Sequence, residues 1–230
     1  MVKYKHILIA IKQYIEKCLD FNITVTYVNS QGKETIMKVA KMKMPYYFSR
    51  RLEKARNSQP QDKRWRVDVY DGVEENLIPE DNWTDCDMYV TENGSTFAVK
   101  KEGEKKGDII SVCDNRKSKN KDNMAGLMQF AVSECGGTKL DSFHGNYGFY
   151  RYCGFEPVSW IDFNTEFKPV GWDEKLNDKE PIVFMKYTGN VRKMDEKQSN
   201  EELSLFYESV PKTTGDDAYD DAMRIRDENM

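Results

Sequence analysis

The sequence predicts an α/β fold built on a mixed, mostly antiparallel sheet, and three observations carry that expectation. Short β-branched or alternating segments recur from Ile23 to Tyr187, several joined by hairpin-type turns. One connection differs: the apolar strand Ile109–Cys113 leads through a polar loop and a helical stretch near 123–135 to a further strand at 139–143, the pattern of a central parallel pair flanked by helices. Aromatic residues make up 12% of the 230 residues, too many for wholesale disorder. The chain divides into an N-terminal helix and β-hairpin extension (1–44), a main α/β domain (45–190) and an acidic tail (191–230) that is partly helical or disordered.

Each element has its own signal. Ile7, Ile11, Tyr14, Ile15 and Cys18 recur at helical spacing, predicting an amphipathic helix over 4–19. Ile23–Val28 and Thr35–Val39 read as a hairpin closed by Asn29-Ser30-Gln31-Gly32. This piece is too small to hold a core alone, so it packs on the main domain or serves in dimerisation. Pro45 precedes a helix over 46–57 with Phe48, Leu52 and Ala55 on one side, and Trp65–Tyr70 alternates like a half-buried strand before an irregular loop at 71–85.

Met88–Thr91 and Thr96–Val99 flank Asn93-Gly94, the strongest hairpin turn in the chain. Ile109–Cys113 reads as a central strand buried on both faces. The next helix turns Met124, Leu127, Met128, Ala131 and Cys135 inward and stops at Gly136-Gly137. A strand at 139–143, a short aromatic helix at 146–153 stopped by Gly154, and strands at 158–163 and 182–187 complete the domain. In the tail, Leu203, Phe206 and Tyr207 could anchor one short helix, and a second runs from Ala218 to Arg226.

Charge and composition exclude several functions. A net charge of −4 rules out a globally basic nucleic-acid binder. No apolar run approaches the roughly 18 residues of a membrane span. The run Ile7–Ile11 is broken by Lys12 with no small-residue cleavage pattern after it, so no signal peptide is expected. Five cysteines, widely spaced and never in a CxxC pair, with only His6 and His144 to assist, give no zinc pattern; reduced thiols in a cytoplasm are the plain expectation.

The chemistry concentrates after Ile109–Cys113. A parallel crossover sets a helix N-terminus, here Asn123, Met124 and Ala125, beside the carboxyl end of a strand, where backbone N–H groups attract anions such as a pyrophosphate. Arg116, Lys117, Lys119 and Lys121 stand immediately before it; the plainer alternative is a solvated loop. His144 comes just after a strand's carboxyl end and has the right pKa range for a general base, although a lone histidine is often structural. Asp141 is a second candidate base or amine ligand, or a hydrogen-bonded core residue. Cys113 and Cys153 have no histidine nearby in sequence to activate them.

Three stretches together resemble the GNAT superfamily of N-acetyltransferases, and most closely its phage-encoded members, over roughly residues 45–190. Gly107–Cys113 looks like the superfamily's fourth strand. Lys139 to Phe155, with its Phe149-Tyr150-x-x-x-Gly154-Phe155 ending, looks like the fifth strand and fourth helix. Pro169-Val170-Gly171-Trp172 with Glu180–Phe184 resembles the closing part of the phage variant.

The resemblance implies acetyl-CoA as co-substrate and acetyl transfer to a small-molecule or protein amine, with no metal. Ser111, Val112 and Cys113 would meet the pantetheine arm with Asn146 and Phe149, and Tyr150 would serve as acid for the departing thiolate. Tyr150 could instead be one aromatic of a packed helix, and Asn146 a cap. The superfamily's glycines are missing from the pyrophosphate loop: Asp122 and Met124 occupy their positions, and the Asp122 carboxylate must turn away or cap the helix. A catalytically silent GNAT-like binding protein is the alternative function. Nucleic acid and membrane are not expected partners; a homodimer is compatible with the sequence.

Overall fold

The computed structural model describes residues 21–28, 34–67, 83–192 and 209–228. The predicted helix over 4–19, the turn at 29–32, residues 68–70 of the strand expected at 65–70, residues 71–82 of the loop expected at 71–85 and the helix around Leu203–Tyr207 lie outside them. Alternating β-branched residues build a five-stranded antiparallel sheet in the order β1-β2-β3-β4-β5: β1 (Ile23–Val28), β2 (Glu34–Met42), β3 (Cys86–Thr91), β4 (Thr96–Lys100) and β5 (Ile109–Cys113). A second sheet has the order β6-β8-β7, also antiparallel, from β6 (Lys139–Phe143), β7 (Phe155–Ile161) and β8 (Ile182–Tyr187).

Helices fill the faces. α1 (Pro45–Arg56) starts with proline at its first turn, where no intrahelical N–H is needed, and buries Phe48, Leu52 and Ala55 against Trp83, Met88 and Ala98. α2 (Met124–Ser133) and the short α3 (Tyr147–Tyr152) cover the other face, where Leu127, Met128, Tyr147 and Tyr150 join Val25, Phe97, Leu140 and Met185 in the largest core. α4 (Ala218–Glu228) closes the outer face of the second sheet through Ala222 and a Phe184–Tyr219 ring contact at 5.0 Å. This part of the acidic tail is therefore a docked helix. Among the described residues no helix is long and apolar enough to cross a membrane.

Two expectations change. Trp65 and Arg66 are not in a strand but end a 3-10 helix, Gln61–Arg66, in which the Trp65 indole donates to the Asp62 carbonyl at 2.8 Å. That local bond satisfies the indole without a ladder, and the alternation came from a buried Trp beside charged neighbours. The strand β5, expected at the centre of one sheet, is instead the edge of the first. It meets β6 at a single parallel bridge, Asp108–Lys139. Register with β4 passes from Ala98–Ile110 to Thr96–Cys113, so β5 carries one extra residue there. A bulge of this kind bends its strand, and the two sheets part toward the carboxyl ends of β5 and β6.

Candidate active site

The seam between β5 and β6 is pinned by charged residues at the Asp108–Lys139 bridge, and the side chains farther along it, from Ser111 to Cys113 and at Ser142, are uncharged. At the closed end, Asp108 and Lys139 are both buried, and α4 inserts Arg226, fully buried, with its guanidinium 2.9 Å from Asp108. Lys139 lies 3.9 Å from Asp108 and 2.8 Å from Asp227, which also pairs with Arg226 at 3.0 Å. Burial nevertheless outweighs the attraction of Arg226 and raises the Asp108 pKa to about 6.

Toward the open end, Ser111 sits in the bulge with φ 55°, a left-handed conformation costly for a residue with a Cβ. Two bonds hold it there. The Trp83 indole N–H donates to Ser111 Oγ at 3.0 Å, and the Thr96 hydroxyl donates to the Ser111 carbonyl at 3.0 Å. Trp83 is itself left-handed, φ 59°, and its ring packs edge-on to Phe48. Ser111 and Val112 are half-buried and Cys113 buried.

Tyr150 projects from α3, and its hydroxyl is hydrogen-bonded to Ser142 of β6, with Cys153, Asp141 and Cys113 as electrostatic neighbours. Only 7% of the residue is exposed. Burial, reinforced by those neighbours, pushes its pKa well above the usual phenol value. Asn146 does not cap α3 with its side chain; it donates to Ser142 Oγ at 3.2 Å and joins the same group. Phe149 contacts the Tyr150 ring at 5.1 Å. Cys113 and Cys153 are driven by burial to thiol pKa values of about 12, which keeps them protonated and poor nucleophiles.

The basic loop follows the carboxyl end of β5. Arg116, Lys117, Lys119 and Lys121 are exposed, with the Lys121 ammonium bonded to the Arg116 carbonyl. Asp122 turns inward: it accepts from the Thr91 hydroxyl at 2.5 Å and from the Asn93 amide at 2.8 Å. The loop is thereby tied to the β3–β4 turn, to which Asn115 adds bonds to Ser95 Oγ and the Asn93 carbonyl. Asn123 caps α2 by accepting from the Gly126 N–H at 3.0 Å, and it also donates to Thr35 Oγ1 at 3.1 Å. Met124 and Ala125, in the first turn, are half-buried. Gly126 serves packing: a Cβ there would lie 2.7 Å from the Cβ of Tyr27.

His144 lies against other residues, and Asp141, although it influences Tyr150 electrostatically, is bonded elsewhere. The His144 ring stacks at 6.1 Å on Tyr147 beside Arg66 and Glu180, and burial, with Arg66 adding and Glu180 opposing, lowers its pKa. It is therefore neutral near pH 7. Glu180 pairs with Arg66 and accepts from the Gly145 N–H at 2.8 Å. Asp141 is hydrogen-bonded to Tyr219 under α4, on the opposite face of β6 from Leu140 and Ser142. The residues that sequence reasoning missed are Ser142, Trp83, Arg66 and Glu180. For Ser142 a signal existed, since strand alternation puts it two residues from Leu140 on the core face; Trp83 carried none.

No protein-family model, curated protein or solved structure matches the chain.

Proposed function

We propose that the chain is an acetyl-CoA-dependent N-acetyltransferase with GNAT-like architecture, transferring the acetyl group directly to an amine in a ternary complex. One observation carries this reading: the buried phenol of Tyr150 bonds to Ser142 of β6, the strand whose neighbour β5 is bulged and bridged to it only at Asp108–Lys139. The free edge of β5 offers backbone groups for an extended arm to pair with, as the resemblance implies for pantetheine. Arg116, Lys117, Lys119 and Lys121 would hold the phosphates, and Asp122, bonded to Thr91 and Asn93, does not oppose them.

The chemistry rests on these groups. An amine nitrogen attacks the thioester carbonyl carbon, and collapse of the tetrahedral adduct breaks the C–S bond. Because burial raises the Tyr150 pKa, the phenol stays protonated and donates a hydrogen bond to the departing sulfur; full proton transfer to a thiolate, whose conjugate acid is far stronger, runs uphill. A neutral His144, stacked on Tyr147 away from this group, would take the amine's proton only through a water relay.

A second reading, a silent GNAT-like binding protein of phage or prophage origin, draws on α2: its first turn is capped by Asn123 and Tyr27 fills the space over Gly126, where glycine would otherwise leave room. Calorimetric titration with acetyl-CoA separates the two. The expected result is micromolar binding abolished in Lys117→Glu/Lys119→Glu. Tyr150→Phe should keep that affinity and lose about 100-fold in the rate of thiol release with an active amine. A folded protein that gives no heat with acetyl-CoA sinks the enzyme reading and favours the second.

A further inference from the structure

Sheet edges expose backbone N–H and C=O groups that need partners, and this molecule treats its edges unequally. In the second sheet the outer strand β7 is covered: the Trp160 N–H donates to the Pro211 carbonyl and the Thr213 N–H to the Trp160 carbonyl, each at 3.1 Å, while the Lys212 ammonium lies 4.6 Å from the centre of the Trp160 ring. β7 also contains Pro157 at a break in register. β5 and β6 face one another across the gap. The outer edge of the first sheet, β1, has no such guard among the described residues. It reads Ile-Thr-Val-Thr-Tyr-Val, without a charge, a proline or a bulge, and its pairing with β2 is unbroken over all six residues.

We propose that β1 pairs antiparallel with β1 of a second copy of this chain, joining two five-stranded sheets into one of ten across a two-fold axis at Thr26. Parity restricts the register. Ile23, Val25 and Tyr27 turn toward the α2 core while Thr24, Thr26 and Val28 are exposed, and directly opposed residues must share a face. An axis at Thr26 satisfies this and sets Val25 against Tyr27 of the partner subunit, and Thr24 against Val28 of the partner subunit.

The charges on β2 then fall in favourable rows. Lys38 lies opposite Thr24 and Glu34 opposite Val28, so each row running across the four strands ends in a lysine on one copy and a glutamate on the other, about 14 Å apart at three strand spacings. The middle row carries Ile36, 63% exposed in the single chain, on both copies. β-branched and aromatic cross-strand pairs of this kind favour association, and nothing on β1 repels its own copy.

The test is the mass in solution of the full chain, by light scattering on a sizing column over a rising concentration series. The wild type should approach twice the 26.9 kDa of one chain. Thr24→Lys/Thr26→Lys, at exposed positions, should retain the wild-type circular dichroism and elute as a monomer at every concentration. A dimer that survives the double variant overturns the proposal, because another surface then holds it. A wild type that stays monomeric also overturns it. Hydrogen exchange then gives the reason: concentration-independent protection of those 24–28 amides that point away from β2 would mean that the chain covers its own edge.

Discussion

The two ends of the seam between β5 and β6 are built from opposite materials. Where the strands meet, three buried charged side chains, Asp108, Lys139 and Arg226, are packed together with the partly exposed Asp227 at their rim. Where the strands part, Ser111, Cys113, Ser142 and Tyr150 are uncharged, and backbone strain at Ser111 is held by single hydrogen bonds. Buried charges are strongly directional but tolerate no missing partner. Neutral hydroxyls in a half-buried gap can exchange partners at modest cost. The closed end is therefore the stiffer part of the seam, and the other end the one whose contacts can rearrange.

Removing one charge at the closed end should have the largest effect on stability. Arg226→Met leaves Asp108 buried with Lys139 at 3.9 Å as its remaining cation, and a loss of about 3–5 kcal/mol is expected from urea unfolding at pH 7. An unchanged midpoint would mean that α4 does not lock the sheets.

The pH dependence isolates the same group more gently. Asp108 is raised from 3.8 unfolded to about 6 folded, so the folded state holds its proton more tightly. Its contribution is greatest below about pH 4 and is lost as pH rises through about 6, amounting to about 3 kcal/mol. Asp85 and Glu156, both lowered, act in the opposite sense, losing stability as pH falls. The check is the difference in unfolding free energy between wild type and Asp108→Asn, followed from pH 3 to 7. A difference that does not change with pH would exclude titration of Asp108.

At the open end the effects are smaller. Ser111→Ala deletes the acceptor for the Trp83 indole while keeping a Cβ at φ 55°, and should cost about 1–2 kcal/mol in the same assay. No measurable loss would show that Trp83 does not hold the bulge.

Much of the sheet was legible because its signals are local. The Asn93-Gly94 turn forms where expected, with Gly94 at φ 92°, and β1, β5, β6 and β8 match their predicted limits. The features that sequence does not reveal depend on contacts distant along the chain. Nothing near Arg226 announces that it reaches Asp108, and the acidic residues around it read as a solvated helix start. Trp65 alternates with charged neighbours as a strand residue would, yet its indole is satisfied within a 3-10 turn. Asp141 has a simpler explanation: alternation alone puts it on the face away from Leu140 and Ser142, where Tyr219 meets it. For Asp122 the sequence left two placements open, turned away or capping the helix; it turns away to Thr91 and Asn93, and Asn123 is the cap.

The bond between Trp83 and Ser111 also makes the protein its own optical gauge. The emission of an indole depends on the polarity and hydrogen bonding around its N–H, and this N–H is fixed to the one residue of β5 whose backbone is strained. Any molecule that settles along that edge and shifts the bulge will recolour or quench Trp83. Four tryptophans share the signal, but subtracting the spectrum of Trp83→Phe leaves this one, so occupancy of the gap can be read by light alone without a labelled ligand.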